Sequence, residues 1–237
     1  KIMRKIIPYA KQYIDNSDIA EVSKALKKDF ITQGPIIEKF EKKISKLTSS
    51  KFSIAANSAT SLLHISCLAL GLKKGDYVWT TSNSFLSSAT CAILCGAKVD
   101  FIDIELENYN LCTENLEKKL KETPKKKLPK IVIPVHFGGH PCEMKKIQEL
   151  SKKYKFKVIE DASHALGAVY YGKSIGACKY SDITVFSLHP VKIITTGEGG
   201  VATTNDEKIF KKINALRAHG IYRNLPKKKR ELKKRPW

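Results

Sequence analysis

Lys192 is set apart from the other basic residues by its surroundings. It follows the β-branched and aromatic run "DITVFSL" (182–188) and precedes "IITTGEGG" (193–200), which holds two threonines and three glycines around Glu198. A lysine carried past a strand end into a partly desolvated cleft holds its proton less tightly and becomes a nucleophile for carbonyls. Gly197, Gly199 and Gly200 allow unusual torsions and close packing beneath a ligand. The ordinary alternative is a solvated loop lysine.

Three other stretches bear on the choice. In "ANSATSLLHI" (56–65) a strand turns directly into an apolar helix, whose first free N–H groups, with Ser58 and Thr60, make an anion site. Simple N-capping by Ser58 explains that stretch equally well when it is taken alone. In "SNSFLSSAT" (82–90) Phe85 belongs to the core or offers its ring to a flat ligand. In "KVIEDASHALGA" (157–168) Glu160 and Asp161 end a buried strand, with His164 three residues beyond Asp161. A helix cap and a structural histidine are the plain readings there, because a site acid needs a cationic partner. Together the four fit one ligand. A phosphate at a helix start, a flat ring, a carboxylate for a ring nitrogen and a lysine for an aldehyde describe pyridoxal 5′-phosphate.

These stretches have to be positioned by a regular scaffold. Strands are expected at "FSIAA", "YVWTT", "KVDFIDI", "KIVIPV", "FKVIED", "DITVFSL" and "GGVATT". Helices are expected between them. One starts at Ser17 or Asp18, with Ile19, Val22 and Leu26 on one face, and another covers 36–47, with Ile37, Phe40, Ile44 and Leu47 inward. Further helices run from Ala59 to a stop at Gly71, up to Gly96, over 114–122 behind a Thr113 cap, over 143–154 and over 206–217. This alternation predicts one α/β domain with a mainly parallel sheet covered by helices on both faces. Ligands then gather at the carboxyl ends of the strands.

Composition narrows the classes. With 43 basic and 23 acidic residues among 237, the net charge is +20. The lysines lie on helical faces opposite apolar positions, as in "EMKKIQELSKKYK", which is the pattern of a solvated surface. No aromatic–basic module points to nucleic acid, and no apolar run has membrane-spanning length. The six cysteines form no CxxC pair and lie mostly in apolar stretches. Reduced thiols in the cytoplasm are expected, and no metal site.

"EDASHALGA" followed by "FSLHPVKIITTGEGG", with "NSATSLLHI" and "ITQGPIIEKFE" upstream, resembles the DegT/DnrJ/StrS sugar aminotransferases. The resemblance covers residues 6–222 and implies the large domain of a fold-type-I pyridoxal-phosphate enzyme. It is most similar to the branch that aminates C4 of a UDP-4-keto-6-deoxy-N-acetylhexosamine in pseudaminic acid biosynthesis. The resemblance makes Lys192 the Schiff-base lysine and sets Asp161 against the pyridinium nitrogen. His164 would reach the ring's phenolic oxygen, Ala59, Thr60 and Ser187 would hold the phosphate, and Phe85 would stack on the ring. Tyr9 and the segment Asp29, Phe30, Ile31 and Thr32 match positions lining a nucleotide-sugar site. L-glutamate is the implied amino donor and a homodimer the implied assembly.

The same resemblance divides the chain into an N-terminal arm (1–16), a cofactor-binding large domain (17–222) and a basic tail (223–237). The relatives' small C-terminal domain has no counterpart here, so this chain alone is expected to be inactive. Another nucleotide-sugar 3- or 4-aminotransferase and a pyridoxal-phosphate sugar dehydratase are neighbouring readings. A non-catalytic basic binding protein is a distant one.

Overall fold

The computed structural model describes residues 7–221 of the chain. Its elements in order are α1 (Asn16–Leu26), α2 (Pro35–Thr48), β1 (Phe52–Ala56), α3 (Ala59–Ala69), β2 (Tyr77–Thr81), α4 (Ser87–Ile93), β3 (Lys98–Ile102) and α5 (Thr113–Glu122). They continue with β4 (Ile131–Ile133), α6 (Met144–Tyr154), β5 (Lys157–Asp161), β6 (Val169–Tyr170), β7 (Lys173–Ser174), β8 (Ile183–Ser187), β9 (Gly200–Thr204) and α7 (Glu207–Arg217). Seven strands form one sheet in the order β1-β9-β8-β5-β4-β2-β3. The pairs β2–β3, β2–β4, β4–β5 and β5–β8 are parallel, and β9 runs antiparallel to both β1 and β8. The expected mainly parallel α/β sheet is present.

Successive strand side chains point to opposite faces, so a strand covered on both sides must be apolar throughout. Ile131 and Ile133 of β4, Ile159 of β5, and Ile183 and Val185 of β8 pack with Leu62, Leu63 and Cys67 of α3, Cys91 of α4 and Ile213 of α7. The residues between them (Val132, Val158, Phe186) pack on the other face with Leu116 and Leu120 of α5 and Met144, Ile147 and Leu150 of α6. Each such fully buried aliphatic side chain stabilises the fold by about 1.5–3 kcal/mol before entropy is counted.

Several expectations need correction. Ile19, Val22 and Leu26 do share a stripe on α1, but they stay exposed, and no residue of that helix is buried. On α2, Ile44 is buried and Phe40 packs against the core, whereas Leu47 lies on an exposed face; Glu41 ties the helix to Ser53 and Ala55 of β1. Thr113 is the first helical residue of α5 rather than its cap. Cys112 takes the cap position without a side-chain bond. Helix α4 stops at Ile93, three residues before Gly96, whose φ of +72° suits the turn into β3. The two-residue strands β6 and β7 carry no periodic signal and were not expected from the sequence. The proposed basic tail, 223–237, lies outside the described residues. Among the described residues, no helix is long and apolar enough to cross a membrane.

Candidate active site

Strand β1 is antiparallel to β9, which is antiparallel to β8, so β1, β2, β4, β5 and β8 all point the same way. Their carboxyl ends, with the start of β9, open onto a cleft of about 520 Å³. Ala59, Thr60, Phe85, Asp161, His164, Ser187 and Lys192 all line it. Seven residues scattered over more than half the chain are thus brought together by strand direction alone.

The anion end is the start of α3. Ser58 is its N-cap, and the Ser58 Oγ accepts from the Ser61 N–H at 3.1 Å. The cap is therefore real, yet it uses only one of the orphan donors. The N–H groups of Ala59 and Thr60 have no intrahelical acceptor by position, and they point out of the helix start where a phosphate is favoured. The Thr60 Oγ1 lies 2.6 Å from the Ser87 Oγ, which ties α3 to the first turn of α4. Gly200 presses on the same helix start. A Cβ there would stand 2.5 Å from the Ala59 nitrogen and 2.6 Å from the Ser58 carbonyl carbon. Of the three glycines near Lys192, Gly197 has positive φ, +79°, while Gly199 and Gly200 are demanded by crowding rather than by torsion.

At the opposite end Asp161 closes β5 and is 3% exposed. No helix follows it, so it caps none. Its Oδ1 accepts from the Ser163 Oγ at 2.6 Å and from the Ser163 N–H at 3.2 Å, and its Oδ2 from the Ser88 Oγ at 2.6 Å. The acid is thus held by hydroxyls and lies open to the cleft, where a protonated ring nitrogen would supply its cation.

Between the ends, the Lys192 Nζ lies 2.5 Å from the His164 Nε2. Burial lowers the Lys192 ammonium below its usual range, and the Asp161 carboxylate opposes that shift. His164 is lowered too, first by burial and then by the Lys192 charge. A contact this short needs one lone pair, so one partner is neutral. Burial favours the neutral form of the Lys192 amine, which is the form that attacks a carbonyl. Phe85 is 75% exposed, so its ring belongs to the cleft and not to the core.

This donor set fits a phosphorylated pyridine aldehyde. Open helix-start N–H groups would meet the phosphate, and Gly200 leaves room beside them. A buried carboxylate would meet the ring nitrogen, and a half-buried lysine the aldehyde.

The substrate-side expectations divide. Tyr9 reaches the cleft, highly exposed. Asp29, Phe30, Ile31 and Thr32 do not. Phe30 and Ile31 instead border a separate hollow of about 110 Å³ with Leu26 and Ile37. Ser87, Ser88 and Ser163 escaped the sequence reading as individual site residues. "SFLSS" contains the only signal for the first two, adjacent serines just inside a helix start where capping needs at most one.

Comparison with known proteins bears on the same cleft. The model of the DegT/DnrJ/EryC1/StrS aminotransferase family matches residues 12–235. A Campylobacter jejuni UDP-4-amino-4,6-dideoxy-N-acetyl-beta-L-altrosamine transaminase is 42% identical over 91% of this chain and 56% of its own length. The structure of a Helicobacter pylori aminotransferase involved in pseudoaminic acid biosynthesis superposes with a TM-score of 0.84 at 29% identity, over 93% of this chain and 58% of that one. A Streptococcus pneumoniae protein assigned as a sugar aminotransferase, in its pyridoxal-phosphate form, gives 0.82 at 28% identity, over 90% and 58%. The chain spans just over half the length of these relatives.

Proposed function

Because the chain belongs to the DegT/DnrJ/EryC1/StrS aminotransferase family, we propose that it forms the cofactor-binding part of a pyridoxal-phosphate sugar aminotransferase. The amino group moves from L-glutamate to C4 of a UDP-linked 4-keto-6-deoxy-N-acetylhexosamine. One observation carries the reading: Lys192, Asp161 and the open start of α3 line a single cleft.

When bound, the group supplies an electrophilic carbonyl and an electron-withdrawing ring. The rest falls to the chain's own residues. Ala59 and Thr60 hold the phosphate through N–H and hydroxyl groups, with Ser187 beside them at the end of β8. Asp161 accepts the ring N–H⁺ and so favours the protonated ring. Phe85 covers one face of the ring and excludes water there. The Lys192 Nζ would anchor the group and, as a free amine, would take a proton from the donor's α-carbon and return it as general base and acid. His164, in contact with that nitrogen at 2.5 Å, would direct it. The same steps in reverse deliver nitrogen to the ketone. Tyr9 at the cleft rim is the candidate contact for the sugar nucleotide. A homodimer in the cytoplasm is part of the proposal, and residues 29–32 would enter the site only from a partner copy.

The test is mass spectrometry of products from a panel of UDP-4-keto sugars supplied with ¹⁵N-glutamate, pyridoxal phosphate and a full-length protein that carries this chain. A 4-amino sugar carrying ¹⁵N is expected. Product without ¹⁵N points to dehydration chemistry, and salt-sensitive DNA binding with no cofactor uptake points to a basic binding protein.

A further inference from the structure

Two adjacent serines in the first turn of α4 reach the two ends of the cleft. Ser87 is bonded to Thr60 at the anion end, and Ser88 to Asp161 at the acid end. Neither caps the helix, whose N-cap position is Leu86 with no side-chain bond. Ser88 is fully buried, and its hydroxyl has two partners, the Asp161 Oδ2 at 2.6 Å and the Ser84 Oγ at 2.6 Å.

The hydrogens in this row can be assigned by counting. A carboxylate only accepts, and a serine hydroxyl has one hydrogen to give. The Ser88 hydrogen is used on Asp161. The 2.6 Å contact between Ser84 and Ser88 must then be filled by the Ser84 hydrogen, or lone pairs would face each other at that distance. The direction is Ser84 to Ser88 to Asp161, and each bond polarises the next. Should Asp161 take up a proton on Oδ2, the row reverses without moving an atom heavier than hydrogen. Ser88 then donates to Ser84, and Ser84 to the Phe85 carbonyl at 3.1 Å.

We propose that Ser88, backed by Ser84, is a positioning residue that fixes the Asp161 carboxylate toward the cleft and so sets how strongly the site favours a protonated ring nitrogen. The inference rests on the pyridoxal-phosphate reading given above. Ser88 touches no cofactor atom in this role. It acts through Asp161, as Ser163 does on the other oxygen. Hydroxyls hold the rear of the acid, which leaves its cleft side open to a cation on the ligand. Hydrogen bonds to charged groups are strong enough for loss of one to be visible in binding.

The test compares the unsubstituted protein with Ser88→Ala and Ser84→Ala. Three quantities are read: affinity for pyridoxal phosphate, the pH midpoint of the visible band of the loaded protein, and affinity for inorganic phosphate as a competitor. Ser88→Ala should bind pyridoxal phosphate about tenfold more weakly and shift the midpoint, with phosphate affinity unchanged. Ser84→Ala, at a half-buried position where no core void forms, should shift both in the same direction by less. Equal weakening of pyridoxal phosphate and inorganic phosphate would mean a collapsed cleft and overturns the proposal. So does an unshifted midpoint in Ser88→Ala, or in Ser84→Ala if Ser88→Ala does not fold. Failure of the unsubstituted protein to take up pyridoxal phosphate overturns the functional reading and this inference with it.

Discussion

Glu160 and Asp161 are neighbours on β5 that face opposite sides of the sheet. The Glu160 Oε2 meets the His136 Nε2 at 2.8 Å between the sheet and the α5–α6 layer, with Ser181 and Thr184 on its other oxygen. Asp161 faces α4 and the cleft. The two-residue pleat therefore separates a structural acid from a site acid.

Glu160 is expected to govern stability and not ligand binding. Burial raises its carboxyl, but His136, Ser181 and Thr184 outweigh burial and hold it below the ordinary 4.5. A carboxyl lowered in the folded state stabilises the fold above its unfolded value and loses that contribution as pH falls through the folded one. The Glu160 contribution should therefore be lost below about pH 4.5, whereas that of His136, raised to about 10, is lost as pH rises above its ordinary 6.5. Glu160→Ala leaves His136 and two hydroxyls without their acceptor and should cost about 3–5 kcal/mol, read by denaturant titration. A loss under 1 kcal/mol would contradict this account.

Asp161→Asn should leave folding within about 1 kcal/mol, since Asn keeps a carbonyl oxygen for Ser88 or Ser163. It should weaken pyridoxal-phosphate binding at least tenfold and slow turnover much more, because an amide cannot stabilise a protonated ring nitrogen. Unchanged catalysis in this variant would remove Asp161 from the mechanism.

In a full-length protein that carries this chain, Lys192→Ala should abolish both the visible absorption of the loaded protein and amino transfer, because anchor and proton carrier are the same atom. Near-normal turnover would end the assignment.

The reactivity of Lys192 should show its environment. Reductive alkylation of the cofactor-free protein should give a pH midpoint for this amine below the ordinary 10.5, as burial dictates. Asp161 opposes that shift, so Asp161→Asn should move the midpoint further down. An upward move would show that some other charge controls the amine.

Gly200→Ala should disturb the anion end, since its Cβ would lie 2.5 Å from the Ala59 nitrogen. Gly197→Ala meets nothing within 4 Å and carries only the strain of φ +79°, about 1 kcal/mol. Phosphate competition should thus weaken at least tenfold in the first variant and little in the second. Equal effects would argue that Gly200 is not the cradle.

Local pattern was enough for much of this molecule. Alternation of apolar runs marks the sheet strands β1 to β5, β8 and β9 to within a few residues, because a strand buried on both faces has to be apolar whatever its neighbours are. Lys192, Asp161, Phe85 and the Ser58–Thr60 turn were legible because each combines a reactive or capping residue with a strand end. Tertiary structure decided what depends on partners distant in sequence. Pleat phase made Glu160 a core ion partner and Asp161 a site acid. Crowding by the start of α3 made Gly200 indispensable, although its torsion is ordinary. Ser88, which carries no sequence signal beyond its neighbour Ser87, became the hydroxyl behind Asp161 only when β5 and α4 were packed side by side. For residues 29–32 and the exposed apolar stripe of α1, the contacts that would give them a role are not among those within the described chain. Hydrophobic periodicity reports which face is to be covered, but not by what.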